Sequence, residues 1–169
     1  MFNSDLIVES TPGKGSVFQF TVEFKINSNH KKFINEEKSK NLQSLEGTRI
    51  LLAEDNPVNM SIAKRFLTKW GIQVTEAVNG RIAVEKFEKD QFDMVLLDLE
   101  MPEMDGAGAL RIIKKIDPEI PILAFTAAVY DNMLDDLLNK GFLGFIPKPF
   151  RPEDLHHKIS YFIAQAKRA

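Results

Sequence analysis

The chain has 169 residues, of which 44% are hydrophobic and 27% are charged, and its formal net charge at pH 7 is −2. This composition is ordinary for a soluble globular protein, and the small net charge gives no electrostatic reason to expect binding to nucleic acid. Because the chain contains no cysteine, disulfides, zinc fingers and thiol catalysis are excluded. No apolar stretch approaches the roughly 20 residues of a membrane span, and no signal peptide follows Met1. We therefore expect a cytoplasmic chain without membrane contact, even if its parent protein is anchored in a membrane.

Residues 1–26 are predicted to form a β-hairpin. A short apolar run at Leu6–Val8 is followed by Pro12 and two glycines, a combination that favours a turn. From Phe18 to Phe24, apolar and polar side chains then alternate, which is the pattern of a strand with one apolar face. Because an isolated two-stranded hairpin is only marginally stable in water, this face needs a packing partner that the segment itself lacks.

Residues 27–48 contain few apolar side chains and carry charges of both signs, which predicts a linker. From Arg49 onwards, short apolar runs alternate with segments of helical periodicity. We predict strands over residues 49–53, 72–77, 94–97, 122–126 and 142–146, and helices over residues 57–70, 81–89, 107–116, 130–139 and 152–166. Such β/α units with right-handed crossovers form a doubly wound α/β fold, in which a five-stranded parallel sheet lies between two layers of helices.

Local signals mark the ends and the buried faces of these helices. Asn56 is the expected N-cap of the first helix, with Pro57 at its first position, whereas Asn79-Gly80 is typical of a turn. Spacings of three and four residues predict that the buried helix faces include Ile62, Ile116, Leu134 and Leu138.

Four of the five predicted strands end in, or just before, a charged or hydroxyl side chain. Glu54 and Asp55 follow the first strand, Asp98 ends the third, Thr126 ends the fourth and Lys148 follows the fifth. The carboxyl ends of parallel strands lie along one edge of a sheet. These residues are distant in sequence, but the topology is therefore expected to bring them together.

The converging residue types suit the transfer of a phosphoryl group. Three carboxylates repel one another unless a cation lies between them, and their oxygens suit Mg²⁺, so we predict a magnesium site at Glu54, Asp55 and Asp98. The metal neutralises phosphoryl oxygens, while Lys148 offers a positive charge and Thr126 a hydrogen bond. The Asp98 carboxylate is the predicted nucleophile, which attacks phosphorus and forms an acyl phosphate. Attack by water on the same phosphorus reverses the modification.

Residues 49 to about 165 resemble the receiver domain of two-component response regulators. The resemblance lies in the acidic pair Glu54-Asp55, the loop Asp98–Gly106, the pair Thr126-Ala127 and the signature Lys148-Pro149-Phe150. It implies the flavodoxin-like strand order 2-1-3-4-5 and a cis peptide before Pro149. It also implies that the backbone carbonyl of Glu100 joins the Mg²⁺ ligands, and that the receiver catalyses its own phosphorylation and dephosphorylation.

The same resemblance assigns a conformational switch to Thr126 and Phe145. Thr126 moves towards the phosphoryl group, the aromatic ring turns into the vacated space, and the surface of the fourth helix, fifth strand and fifth helix changes. That surface is also where a dimer contact is expected. Plain core packing is the alternative role for Phe145, because its ring has no group that donates a hydrogen bond.

The order Leu6–Ser10 followed by Pro12–Phe18 resembles the closing strands of the ATP-binding domain of sensor histidine kinases, with an unrelated hairpin as the alternative. The nucleotide-binding motifs of that domain are absent, so we expect no kinase activity from this chain itself. The chain is interpreted as the C-terminal part of a hybrid sensor histidine kinase. It comprises a kinase remnant over residues 1–26, a linker over residues 27–48 and a receiver over residues 49–169. The expected partner is a histidine kinase or a histidine phosphotransfer domain.

Several residues depart from the receiver pattern. Gly144 stands where Asp is frequent, and Pro147 directly precedes Lys148. Glu100 and Ala128 occupy positions at which the family tunes the phosphoryl lifetime, and we expect the Glu100 side chain to alter hydrolysis. Two rival functions stay open: a phosphatase with an aspartyl nucleophile, and a pseudo-receiver that only binds partners. Phosphatases of that kind place a second Asp two residues after the nucleophile, where this chain has Glu100.

Overall fold

A computed structural model describes residues 6–13, 15–21, 44–127 and 132–166. Its first element pair is an antiparallel hairpin of β1 (Leu6–Thr11) and β2 (Gly15–Phe20), in which Val8 pairs with Phe18. The predicted hairpin is therefore confirmed over these residues, while Phe24 and most of the predicted linker lie outside the described part of the chain. Apolar side chains on both faces of the hairpin are exposed, namely Ile7, Val8, Val17 and Phe18.

The rest of the described chain alternates between strands and helices. In chain order its elements are β3 (Arg49–Ala53), α1 (Pro57–Lys69), β4 (Gln73–Ala77), α2 (Gly80–Lys86), β5 (Met94–Asp98), α3 (Gly106–Ile116), β6 (Ile122–Thr126), α4 (Met133–Lys140), β7 (Gly144–Pro147) and α5 (Pro152–Ala166). The five strands are parallel and lie in the order β4-β3-β5-β6-β7. This is the predicted order 2-1-3-4-5.

The sheet has a hydrophobic core on each face. Because side chains alternate along a strand, Val95 and Leu97 of β5 pack with α2, α3 and α4, whereas Met94 and Leu96 pack with α1 and α5 on the opposite face. A strand buried on both faces reads as an unbroken apolar run, which explains the sequence of β5. The doubly wound arrangement with helices on both faces is therefore confirmed.

The buried faces of three helices are narrower than their apolar patterns. Four side chains predicted to be buried are instead exposed by 41–47%: Ile62, Ile116, Leu134 and Leu138. A helix that lies on a sheet buries one stripe of its surface, and in α1 that stripe is formed by Met60, Ala63 and Leu67. Spacing alone does not decide which edge of a wide apolar face turns towards the sheet.

The first helix begins as predicted, but the second does not. Asn56 caps α1 by accepting hydrogen bonds from the backbone nitrogens of the next turn, and Pro57 is its first residue. The prediction of a turn at Asn79-Gly80 was wrong, because Asn79 is the N-cap of α2 and Gly80 is its first residue. Helix α2 also ends before residue 89, since Phe87 is extended and its ring stacks on Phe92.

One further prediction of the sequence is confirmed at the end of β7. The peptide between Lys148 and Pro149 is cis. A search of the described helices for one that is sufficiently long and apolar to cross a membrane finds none.

Candidate functional site

The strand register brings the predicted site residues to one edge of the sheet. Ala53, the residue before Glu54, pairs with Leu97, and Asp98 pairs with Phe125 of the next strand. Thr126 pairs with Pro147, and the Lys148 backbone nitrogen donates to the Thr126 carbonyl over 2.7 Å. The polar side chains therefore lie side by side at the carboxyl ends of four neighbouring strands, β3, β5, β6 and β7, as the topology argument predicted.

Three carboxylates form a compact acidic group at this edge. Glu54, Asp55 and Asp98 each place a carboxylate oxygen within 4.8 Å of the others. The Glu54 and Asp98 side chains are almost completely buried, whereas Asp55 is exposed. Among the described residues this is the only group of three or more histidine, aspartate or glutamate side chains close enough to share a metal ion.

Lys148 reaches into the acidic group and joins its two buried members. The Nζ atom donates to Glu54 Oε2 over 2.6 Å and to Asp98 Oδ2 over 2.7 Å. Because the lysine side chain is itself only 11% exposed, little solvent screens these contacts. Three carboxylates and one ammonium group leave two negative charges in a small volume, which favours a divalent cation.

The first turn of α1 holds the Glu54 carboxylate from its other side. Glu54 Oε1 accepts hydrogen bonds from Asn59 Nδ2 over 3.0 Å and from the Asn56 backbone nitrogen over 3.3 Å. The Asp98 carboxylate accepts a further bond from the Glu100 backbone nitrogen over 3.3 Å. Both buried carboxylates thus have hydrogen-bond donors in addition to Lys148, as buried charges require.

The loop after Asp98 passes close to the end of β5. A Cβ atom on Gly106 would lie 2.2 Å from the Asp98 carbonyl oxygen, so only glycine fits where the chain turns into α3. Asp105 then caps α3 by accepting a bond from the Gly108 backbone nitrogen over 2.6 Å. Asp105 and Gly106, at the end of this loop, therefore have a capping role and a steric role beside Asp98.

The two residues of the predicted switch lie on the two strands that follow Asp98 in the sheet, β6 and β7. Thr126 is buried at the end of β6, and Phe145 is half-buried on β7. Lys158 of α5 places Nζ 4.7 Å from the centre of the Phe145 ring and donates to the Phe145 carbonyl. Burial lowers the pKa of Lys158 below its ordinary value. Sequence reasoning missed this contact, because no local pattern singles out one lysine on α5. Ala128, the other position named in the sequence analysis, lies outside the described residues.

Gly144 has a packing reason in this chain. It is buried on β7, and a Cβ atom there would lie 3.2 Å from Phe162 Cζ. A side chain at position 144 would therefore require the Phe162 ring of α5 to shift by a few tenths of an ångström. Glycine at position 144, where the family frequently has aspartate, is therefore explained by the close approach of Phe162. It does not involve the acidic group.

Sequence reasoning also missed a contact between α2 and the loop that follows Asp98. Glu103 accepts hydrogen bonds from Asn79 Nδ2 over 2.9 Å and from Arg81 Nε over 2.7 Å. An Asn-Gly pair can cap a helix as well as form a turn, so the residue types alone were ambiguous. Twenty-four positions separate Asn79 from Glu103, and only the fold brings them together.

A comparison with protein families finds that the model of the response regulator receiver domain matches residues 50–160. The chemotaxis protein CheY of Thermotoga maritima is 39% identical over 107 residues, which cover 63% of this chain and 89% of CheY. The autoinducer 2 sensor kinase/phosphatase LuxQ of Vibrio vulnificus is 31% identical over 166 residues, which cover 97% of this chain and 19% of LuxQ. The transcription factor SKN7 of Candida albicans is 36% identical over 118 residues, 70% of this chain and 21% of SKN7. The chain thus spans about a fifth of the length of LuxQ and SKN7.

Among solved structures, the receiver domain of the sensor histidine kinase PA1611 from Pseudomonas aeruginosa PAO1 is similar to this chain. It shares 32% sequence identity with a TM-score of 0.64, and the match covers 70% of this chain and 98% of that domain. That structure holds a magnesium ion in its active site cleft.

Proposed function

The chain belongs to the response regulator receiver domain family of two-component signalling, and from that premise we propose that Asp98 accepts a phosphoryl group from a phosphohistidine. The observation that carries the proposal is the buried contact of Lys148 with both Glu54 and Asp98. It places a positive charge beside the nucleophile, where the oxygens of an incoming phosphoryl group need one.

The donor set fits a magnesium ion. The acidic group offers hard carboxylate oxygens, two of them on buried side chains, and carries more negative charge than Lys148 neutralises. Glu54, Asp55, Asp98 and the backbone carbonyl of Glu100 would hold Mg²⁺, which supplies positive charge against the phosphoryl oxygens. The magnesium-bound receiver of PA1611 supports the same choice of metal.

The transfer exchanges one bond to phosphorus for another. An oxygen of the Asp98 carboxylate attacks phosphorus while the bond to the histidine nitrogen breaks, and its electron pair returns to the imidazole, which takes up a proton from solvent. Lys148 then pairs with the phosphoryl oxygens, and the Thr126 hydroxyl donates to them. Hydrolysis of the acyl phosphate by water returns Asp98 to its carboxylate form, with loss of inorganic phosphate.

The signal is proposed to leave the site through Thr126 and Phe145. Movement of Thr126 towards the phosphoryl group favours an inward position of the Phe145 ring, which is a shift between two populations. Lys158 contacts both the ring and the carbonyl of Phe145 and holds the ring in its half-buried position. In the inward state, the ring therefore loses its contact with Lys158 and becomes buried instead. A dimer contact through α4, β7 and α5 stays a prediction that no finding tests.

The wider context is proposed from the relatives. The match with LuxQ covers nearly the whole chain, including the hairpin of β1 and β2, which supports a receiver that follows the end of a kinase domain. We place a kinase remnant at residues 1–26, a linker at 27–48 and the receiver at 49–169. The phosphoryl donor is then a histidine kinase or a histidine phosphotransfer domain, met in the cytoplasm.

One experiment tests the proposal against its rivals. The full chain is incubated with Mg²⁺ and acetyl phosphate, a small phosphoryl donor, and the intact protein is weighed by mass spectrometry. The expected result is a gain of one phosphoryl group, absent from Asp98→Asn and retained by Asp135→Asn, which changes an exposed aspartate of α4. No adduct in the unaltered chain, without release of phosphate, indicates a pseudo-receiver. Rapid turnover of phosphate esters indicates a phosphatase.

A further inference from the structure

The loop that follows Asp98 is fastened to the start of α2 by side chains that the proposed chemistry does not use. Glu103 accepts from Asn79 with Oε1 over 2.9 Å and from Arg81 with Oε2 over 2.7 Å. Each carboxylate oxygen thus has its own donor, and both donors lie within the first residues of α2 or at its cap. The contact joins two segments that lie more than twenty residues apart.

Of the two contacts that the Glu103 carboxylate makes with α2, the contact with Asn79 is the stronger. Asn79 is only 3% exposed, and its Oδ1 atom is already engaged in capping α2 through the Ile82 backbone nitrogen. Loss of Glu103 would leave the buried Nδ2 donor without this acceptor, which is unfavourable in a protein interior. The Arg81 contact is half-exposed and weaker on that account, although its hydrogen bond to Glu103 is the largest cause of a raised Arg81 pKa.

The backbones meet at the same place. The Gly80 nitrogen donates to the Met104 carbonyl over 3.1 Å, and a Cβ atom on Gly80 would lie 2.4 Å from that oxygen. Glu103 itself has a φ of +65°, and the Met104 nitrogen donates back to the Pro102 carbonyl over 2.7 Å, which makes Glu103 the centre of a γ-turn. A residue other than glycine keeps this conformation only where its surroundings hold it.

We infer that Glu103 is a positioning residue for the magnesium site, acting through the clamp that Asn79 and Arg81 form with its carboxylate. Glu100, whose backbone carbonyl is the proposed fourth ligand, lies three residues before Glu103 in the same loop. A loop held at Glu103 presents that carbonyl in one place, whereas a released loop has to be ordered when the metal binds. The inference rests on the proposed function, because it assumes that the acidic group binds a divalent cation.

The test compares divalent-cation affinity in matched variants of the full chain, with Mn²⁺ as a paramagnetic probe followed by electron paramagnetic resonance. Glu103→Ala removes the clamp, and Glu85→Ala is its control, because Glu85 is the other carboxylate that Arg81 contacts. We expect the Mn²⁺ dissociation constant to rise about 3- to 10-fold in Glu103→Ala. This loss of affinity is smaller than the loss expected when the replaced residue hydrogen-bonds directly to a metal-ligating side chain. Glu85→Ala should bind Mn²⁺ like the unaltered chain.

Two further variants separate positioning from general stability. Glu103→Gln keeps an acceptor for Asn79 and should recover most of the affinity, while Arg81→Met removes one contact of the clamp and should raise the dissociation constant about 2-fold. Hydrogen–deuterium exchange of residues 99–106 in the metal-free protein should be faster in Glu103→Ala and unchanged in Glu85→Ala. Thermal unfolding is recorded for each variant.

The outcomes distinguish the inference from the proposed function. If the unaltered chain binds Mn²⁺ and both Glu103→Ala and Arg81→Met bind it equally well, the positioning role is wrong while the proposed function stands. If the unaltered chain binds no Mn²⁺, both fail. Weaker binding by Glu103→Ala, with loop exchange accelerated and affinity recovered in Glu103→Gln, supports the clamp.

Discussion

Lys148 Nζ lies 2.7 Å from Asp98 Oδ2, and both side chains are nearly removed from solvent. The same ammonium group contacts Glu54 at 2.6 Å. The nucleophile of the proposed reaction is therefore paired with a cation before any phosphoryl group arrives. In the proposed reaction, this ammonium group already lies beside Asp98 when the phosphoryl group arrives, and it needs little rearrangement to pair with the new oxygens.

Removal of the Lys148 ammonium group should destabilise the fold when no metal ion is bound. In Lys148→Met, two buried carboxylates lose their common partner, and we expect the free energy of unfolding in EDTA to fall by about 3–5 kcal/mol. Urea denaturation measures the change. Lys64→Met is the matched control, because it removes the half-exposed ion pair with Glu76 and should change stability by about 0–1 kcal/mol. Equal losses in the two variants would contradict the special role of the buried pair.

Magnesium should stabilise the unaltered chain but not a chain that lacks the exposed carboxylate of the acidic group. Ligand binding to the folded state alone adds about 2.7 kcal/mol at a ligand concentration 100 times the dissociation constant. Asp55→Asn should abolish most of this gain, since Asp55 is one of the three clustered carboxylates. Thermal unfolding with and without Mg²⁺ measures it, with Asp135→Asn as control. A gain of equal size in Asp55→Asn would remove Asp55 from the ligand set.

The frequent family residue should be poorly tolerated at position 144. Gly144→Asp places a Cβ atom 3.2 Å from Phe162 Cζ and buries a carboxylate beside an aromatic ring, so we expect a loss of about 2–3 kcal/mol in unfolding free energy. Phe162→Ala should be less harmful in the Gly144→Asp background than alone, because the space it vacates relieves the contact. A double-mutant cycle by urea denaturation measures the coupling. Additive losses would show that the ring is not the obstacle.

Acidification should weaken the fold partly through His156. Its ring lies edge-on to Trp70 at 4.8 Å, and burial, followed by the charge of His157, lowers the pKa of His156 in the folded state. The unfolded chain therefore binds this proton more readily, so stability is lost as the pH falls through the ordinary histidine pKa of about 6.5. His156→Gln should reduce the slope of stability against pH between about 7.5 and 5.5. Parallel curves for the two proteins would contradict this assignment.

The local pattern was sufficient to predict the strands and the position of Asp98 at the end of β5. A run such as Met94–Leu97 is buried on both faces in any doubly wound sheet, and the residue that follows it emerges at the edge where ligands bind. The same reasoning placed Thr126 and Lys148 at that edge. The helix faces were less predictable, since Ile62 and Leu134 belong to apolar patterns wider than the stripe each helix buries.

By itself, the sequence determined which residues meet at the edge of the sheet, because parallel strands place their carboxyl ends side by side whatever the details of packing. Only the tertiary structure decided how they pair. Lys148 contacts Glu54 across 94 positions of the chain, and Glu103 contacts Asn79 across 24. Such pairs depend on strand register and helix rotation, which are set by the packing of the whole core, and no periodicity within a short segment encodes them.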